Sequence, residues 1–192
     1  MSSKIKDEIL TIPNILSMFR ILLIPIFVWL YIIQEDYLYA AVVLVLSGIT
    51  DILDGFIARK FNLITRLGKI LDPIADKLTQ AVVLLCLTDR YPLMALPLIV
   101  LVVKEVVTGL GGLLVIRESG RVYSSDWHGK VSTALLYVMM VVHVLWFNIP
   151  AETSKLFILS SLVMMLISFS LYTLQNIRII QDTKRREKEE TE

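Results

Sequence analysis

The chain has 192 residues, a length that fits one domain. Hydrophobic residues make up 56% of it and the mean hydropathy is +0.70, which excludes an ordinary soluble domain and indicates an integral membrane protein. The net charge of +1 gives no basis for a nucleic-acid partner. Cys86, the single cysteine, sits in an apolar run and excludes both a disulfide framework and a thiolate zinc site.

Residues 1–12 read either as a short amphipathic helix on the membrane surface, with Ile5, Ile9, Leu10 and Ile12 toward lipid, or as an unstructured terminus. They do not read as a cleavable signal peptide, because the opening is charged and the first apolar run is long. Pro13 and Asn14 precede the first span, at about 14–34. Arg20 lies about two turns inside it, either snorkelling to the headgroups or facing a substrate, and the acidic residues downstream favour the second. Pro25 is expected to bend this helix.

Gln34 to Asp36 form a turn, and the second span follows at about 37–59. Its first half is apolar filler; its second half carries Ser47, Thr50, Asp51 and Asp54. Residues 60–67 make a short basic connection to a third span at about 68–88, where Pro73 either marks the helix start or kinks the helix. After a turn at residues 89–92 comes a fourth span, about 93–116, with Lys104 and Glu105 deep inside it. These two read equally as a buried brace or as an acceptor-site cation and its partner. Gly109, Gly111 and Gly112 allow close helix approach, within the chain or across a dimer. A polar stretch with Arg117 and Arg121 leads to a fifth span at about 129–148, and a sixth runs at about 155–177. His128 and His143 lack metal-ligand spacing and receive no catalytic role. The expected organisation is an all-α membrane domain of six transmembrane helices over residues 1–180 and a charged, solvated tail over 181–192.

The chemistry concentrates between Asp51 and Asp76. Carboxylates inside apolar spans are costly and so mark a function. Asp51 and Asp54 are three apart, and Gly55 and Ala58 continue their face of a helix; Asp72 and Asp76 are four apart, with Gly68 four before. Two such faces turned together would form a cage of hard oxygens suited to Mg²⁺ or Mn²⁺. Small residues leave room beside it, and Arg59 and Lys77 add positive charge, a combination that suits a diphosphate.

The pattern DxxDGxxAR, eight residues, then GxxxDxxxD is complete from Asp51 to Asp76. It resembles the signature of the CDP-alcohol phosphotransferase family. The opening TIPNILSMFRILLIP, the length and the hydropathy are similar to its phosphatidylglycerophosphate synthases and eukaryotic-type cardiolipin synthases. The resemblance implies transfer of a phosphatidyl group from CDP-diacylglycerol to an alcohol, with release of CMP. It implies two divalent cations, Mg²⁺ or Mn²⁺, held by Asp51, Asp54, Asp72 and Asp76, with Asp76 also the general base. Gly55, Ala58, Arg59 and Gly68 match positions that hold the CDP moiety, with Asp51, Asp54 and Asn14 as further CDP contacts. A homodimer in the lipid bilayer is implied as well.

For the acceptor, Lys104, Arg117, Arg121, Lys130 and Arg66 are candidate cations, and their number favours glycerol 3-phosphate. The chain departs from the synthases that use it. Lys104-Glu105 stands where they show Arg-Glu, glycines stand where a further Arg is usual, and of a GKxKT pattern only Lys130 among the lysines is kept. Phosphatidylglycerol, giving cardiolipin, is the alternative acceptor. Lys and Arg gather at the termini and in the 60–69 and 117–130 connections, against Arg90 and Lys155 in the opposite turns. The positive-inside rule therefore expects a multi-pass cell-membrane protein with both termini and the aspartates facing the cytoplasm. An ion-coupled transporter is a remote alternative, disfavoured because the carboxylates cluster near one face rather than lining the membrane depth. A purely structural role would need a partner cation for each carboxylate.

Overall fold

The computed structural model describes residues 11–61, 65, 67–119 and 127–189. The surface helix expected over residues 1–12 thus lies almost wholly outside the described residues. Helix α1 (Ile12–Val28) continues into a π-helical segment, Trp29–Ile33. Then follow α2 (Tyr37–Lys60), α3 (Gly68–Thr88), a 3₁₀ turn (Pro92–Met94), α4 (Ala95–Ser119), α5 (Trp127–Leu145) and α6 (Ala151–Glu189). No strand occurs among the described residues.

Five of the six helices are long and apolar enough to cross a membrane: Ile12–Ile33, Tyr37–Ala58, Pro92–Ile116, Trp127–Leu145 and Ala151–Thr183. The protein is an all-helical integral membrane protein. Helix α3, expected as the third of six spans, has 21 residues but falls short in apolarity, because Asp72, Asp76 and Lys77 occupy its first half. Apolar side chains outside the core, such as Leu22, Leu38, Ile52, Ile99 and Leu156, are exposed on the helices, where a bilayer would cover them.

Local chemistry explains most boundaries. Pro13 sits in the first turn of α1, where its missing N–H costs nothing. Pro25 lies inside α1, and the π segment begins four residues later. The chain reverses through Glu35, whose φ of 51° is left-handed, and Asp36 then caps α2 by accepting from the Tyr39 N–H at 3.2 Å. Helix α3 starts at Gly68 and contains Pro73, so the proline does not open the helix. The tail expected to be solvated continues α6 as helix to Glu189; its Lys, Arg and Glu residues are strong helix formers.

The helices group into two compact units, residues 1–92 with 140–150 and residues 93–139 with 151–192. In the first, α1 packs on both α2 and α3, over a core that includes Leu23, Phe27, Ala40, Leu44, Ala75 and Leu84. In the second, α4 packs on α6. There a Cβ on Gly111 would lie 2.7 Å from the Asn176 amide nitrogen, so Gly111 permits a close approach within the chain, whereas Gly109 and Gly112 face open space.

Candidate active site

The site lies in the first unit, where α1, α2 and α3 each contribute a polar face. On α1, Asn14, Ser17 and Arg20 recur every three residues and are all fully buried. An uninterrupted stripe of polar side chains in an apolar span has the same logic as the aspartates: each must find a partner on a neighbouring helix.

Arg20 meets the carboxylates of α2. Its Nη2 donates to Asp54 Oδ2 at 2.5 Å, and its Nη1 lies 2.7 Å from Asp51 Oδ1. The second contact is an ion pair without hydrogen-bond alignment, since Nη1 and Nε both lack a hydrogen-bond acceptor. Ser17 carries one hydroxyl proton and has three oxygens in reach: Asp72 Oδ1, the Pro13 carbonyl at 3.0 Å and Asp54 Oδ2 at 3.5 Å. Arg20 and Ser17 together link Asp51, Asp54 and Asp72 into one network across three helices.

Asp76 has partners of its own on α3. The Gln80 amide nitrogen, one turn on, donates to both Asp76 oxygens at 2.9 and 3.0 Å, and Lys77 Nζ lies 3.3 Å from Oδ2. Asp76 follows Asp72 by four residues, so the two carboxylates share one face of α3.

Thr65 and Gly68 join the first and third helices. The Gly68 N–H donates to Thr65 Oγ1 at 2.9 Å, satisfying one open donor of the α3 N-terminus. The Thr65 hydroxyl in turn donates to Asn14 Oδ1 at 3.0 Å. A Cβ on Gly68 would stand 2.6 Å from Asn14 Oδ1 and 3.0 Å from Thr65 Oγ1, so only glycine lets α3 begin this close to α1. Gly55 and Ala58 lie half-buried on α2, where small size leaves space; of Arg59 only its backbone position on α2 is described.

One turn deeper on each of these helices, Leu23, Phe27, Leu44, Ser47, Thr79 and Val83 line a small apolar recess of about 10 Å³. Ser47 Oγ is buried there without a partner.

The metal expectation can be tested against this geometry. Among the described residues no three His, Cys, Asp or Glu side chains converge closely enough to hold an ion. The donor set still fits a hard divalent cation. It consists of carboxylate oxygens only, and Arg20 and Lys77 bring two positive charges to four negative ones. Asp51, Asp54, Asp72 and Asp76 are the residues that would hold it.

Lys104 and Lys130 belong to the second unit. Lys104 is 7% exposed with Nζ 3.9 Å from Glu105 Oε1, and Lys130 is exposed in the first turn of α5. Arg117 is placed on α4 by its backbone alone, and Arg66 and Arg121 fall outside the described residues. His128 and His143 are buried against aromatic rings, Tyr172 at 4.6 Å and Tyr91 at 4.9 Å between centroids, in keeping with structural roles. Ser17, Thr65 and Gln80 were not expected from the sequence. The polar stripe on α1 signals Ser17, and the i, i+4 spacing from Asp76 signals Gln80; Thr65 lies in a connection without periodicity and has no such signal.

Comparison with known proteins agrees with the motif. A family model, CDP-alcohol phosphatidyltransferase, matches residues 10–174. The CDP-diacylglycerol–glycerol-3-phosphate 3-phosphatidyltransferase of Aquifex aeolicus is 30% identical over 177 residues, covering 89% of this chain and 98% of that one. The Bacillus subtilis protein of the same name is 34% identical over 156 residues, covering 73% and 79%. A CMP-forming cardiolipin synthase of Streptomyces coelicolor is 44% identical over 104 residues, covering 52% of this chain and 48% of that one.

Proposed function

The chain belongs to the CDP-alcohol phosphatidyltransferase family, and on that premise we propose that it moves a phosphatidyl group from CDP-diacylglycerol to glycerol 3-phosphate, releasing CMP. The observation that carries this reading is the buried network in which Arg20 and Ser17 of α1 engage Asp51, Asp54 and Asp72 of α2 and α3, with Asp76 one turn on from Asp72 and Gly68 at the close junction of α1 and α3. Such a site suits a diphosphate on a divalent ion rather than a covalent intermediate.

Two divalent cations, Mg²⁺ or Mn²⁺, would supply charge neutralisation for the donor diphosphate and the leaving CMP. The rest falls to the chain. Asn14, Gly55, Ala58, Arg59 and Gly68, with Asp51 and Asp54, hold the CDP moiety; Arg59 suits the diphosphate because its fork can bind two oxygens. Asp76 accepts the proton of the acceptor hydroxyl. The acceptor oxygen then bonds to the phosphatidyl phosphorus, and the bond from that phosphorus to CMP breaks with its electron pair leaving on CMP. Gln80 orients Asp76 through its amide. The enzyme is read as a homodimer with its termini and site on the cytoplasmic side.

Lys104, Arg117, Arg121, Lys130 and Arg66 are proposed to receive the acceptor phosphate. The test is kinetic. Lys104→Ala and Lys130→Ala should raise the apparent KM for glycerol 3-phosphate about tenfold or more, while that for CDP-diacylglycerol changes little. Equal effects on both substrates would remove these residues from the acceptor site. The second reading, phosphatidylglycerol as acceptor and cardiolipin as product, is favoured by the 44% identity to the Streptomyces protein over part of the chain and by the missing second lysine after Lys130. Conversion of phosphatidylglycerol by purified enzyme that ignores glycerol 3-phosphate would establish it.

A further inference from the structure

Arg20 is fully buried in a membrane-spanning helix, and both its partners are carboxylates expected to hold metal. A guanidinium between Asp51 and Asp54 and a divalent ion on the same oxygens repel each other, and a low-dielectric site screens this poorly. The arginine cannot retreat to water, because it has no exposed surface. It does keep unused donors: Nε has no hydrogen-bond partner, and Nη1 touches Asp51 without alignment. Buried guanidinium donors left open are costly, and they are what a phosphate oxygen would satisfy.

We infer that Arg20 is an internal counter-cation that exchanges partners: it neutralises Asp51 and Asp54 while the metal is absent, and passes to the donor diphosphate when the metal takes those carboxylates. Ser17 holds Asp72 in the same network, so the cage stays assembled between turnovers. The exchange keeps the buried charge balanced at every stage. The anionic diphosphate arrives together with the cations that displace the arginine. This inference rests on the two-metal reading of the site.

The test measures metal binding by the detergent-purified full chain, with no substrate present. Mn²⁺ binding is followed by electron paramagnetic resonance, and thermal unfolding is recorded in EDTA and in Mg²⁺. Arg20→Gln should bind Mn²⁺ about tenfold more tightly than wild type, because a competing cation is gone. It should also unfold earlier than wild type in EDTA and recover in Mg²⁺. Arg20→Lys, which keeps the charge but loses the fork, should fall between the two, and it carries the test if Arg20→Gln does not fold. Adding CDP-diacylglycerol should then bind less tightly to the Arg20→Gln protein by a similar factor. Unchanged or weaker Mn²⁺ binding in both variants would overturn the exchange. Absence of Mn²⁺ binding in wild type as well would overturn the two-metal reading beneath it.

Discussion

Replacing Gly68 by alanine probes how closely α1 and α3 must approach for the carboxylates to meet. The new methyl would stand 2.6 Å from Asn14 Oδ1 and 3.0 Å from Thr65 Oγ1. Ordinary carbon contacts are about 3.5–4.0 Å, so the Asn14 amide must move by about 1 Å. Asn14 is 0% exposed and accepts from Thr65, which itself accepts from the first N–H of α3, so moving it breaks a buried hydrogen bond. That costs about 1–3 kcal/mol, and crowding adds about 1–3 kcal/mol. Alanine's better helix propensity returns at most about 1 kcal/mol. The net is a loss of about 1–6 kcal/mol, read as an earlier thermal unfolding of the detergent-purified protein. Asn14→Ala should also destabilise by losing the Thr65 bond. In the double variant the clash is gone, so Gly68→Ala should cost little on the Asn14→Ala background. Wild-type stability in Gly68→Ala, or the same cost on both backgrounds, would refute this account of the junction.

Other expectations follow from the same geometry. Asn in place of any one of Asp51, Asp54, Asp72 or Asp76 should abolish transfer while leaving folded protein extractable in detergent; activity lost to a chelator should return with Mg²⁺ or Mn²⁺. Glu35→Gly should stabilise the protein by about 0.5–1 kcal/mol, because Glu35 is exposed and pays for a left-handed φ of 51°; a destabilised variant in thermal unfolding would contradict this. A cysteine placed in the 60–67 connection should be labelled from the cytoplasm and one in the 34–36 turn from outside, and the reverse labelling would overturn the orientation.

The aspartates were legible in the sequence because a carboxylate in an apolar run stands out and helical spacing then assigns its face. The helix positions were legible for a similar reason: apolar length is a property of the local sequence. What depends on neighbours was not. The double engagement of Arg20 needs α1 beside α2, and no spacing within α1 indicates it. Gly68 is recognisable as small, but its reason, contact with Asn14 and Thr65, exists only once the helices pack. Pro73 allowed a helix start or a kink, and the start moved upstream because Thr65 caps Gly68 instead. The charged end of α6 was read as a solvated tail by its charge, although its residue types favour helix.

The central claim is that this site transfers a phosphatidyl group to glycerol 3-phosphate. The most direct measurement supplies purified enzyme with CDP-diacylglycerol, Mg²⁺ and a panel of alcohols, and follows CMP and the lipid products by mass spectrometry. The account predicts equimolar CMP and phosphatidylglycerophosphate, dependent on glycerol 3-phosphate and absent with Asp72→Asn. CMP formation with another alcohol alone would contradict the acceptor, and failure to release CMP with any of them would contradict the reaction itself.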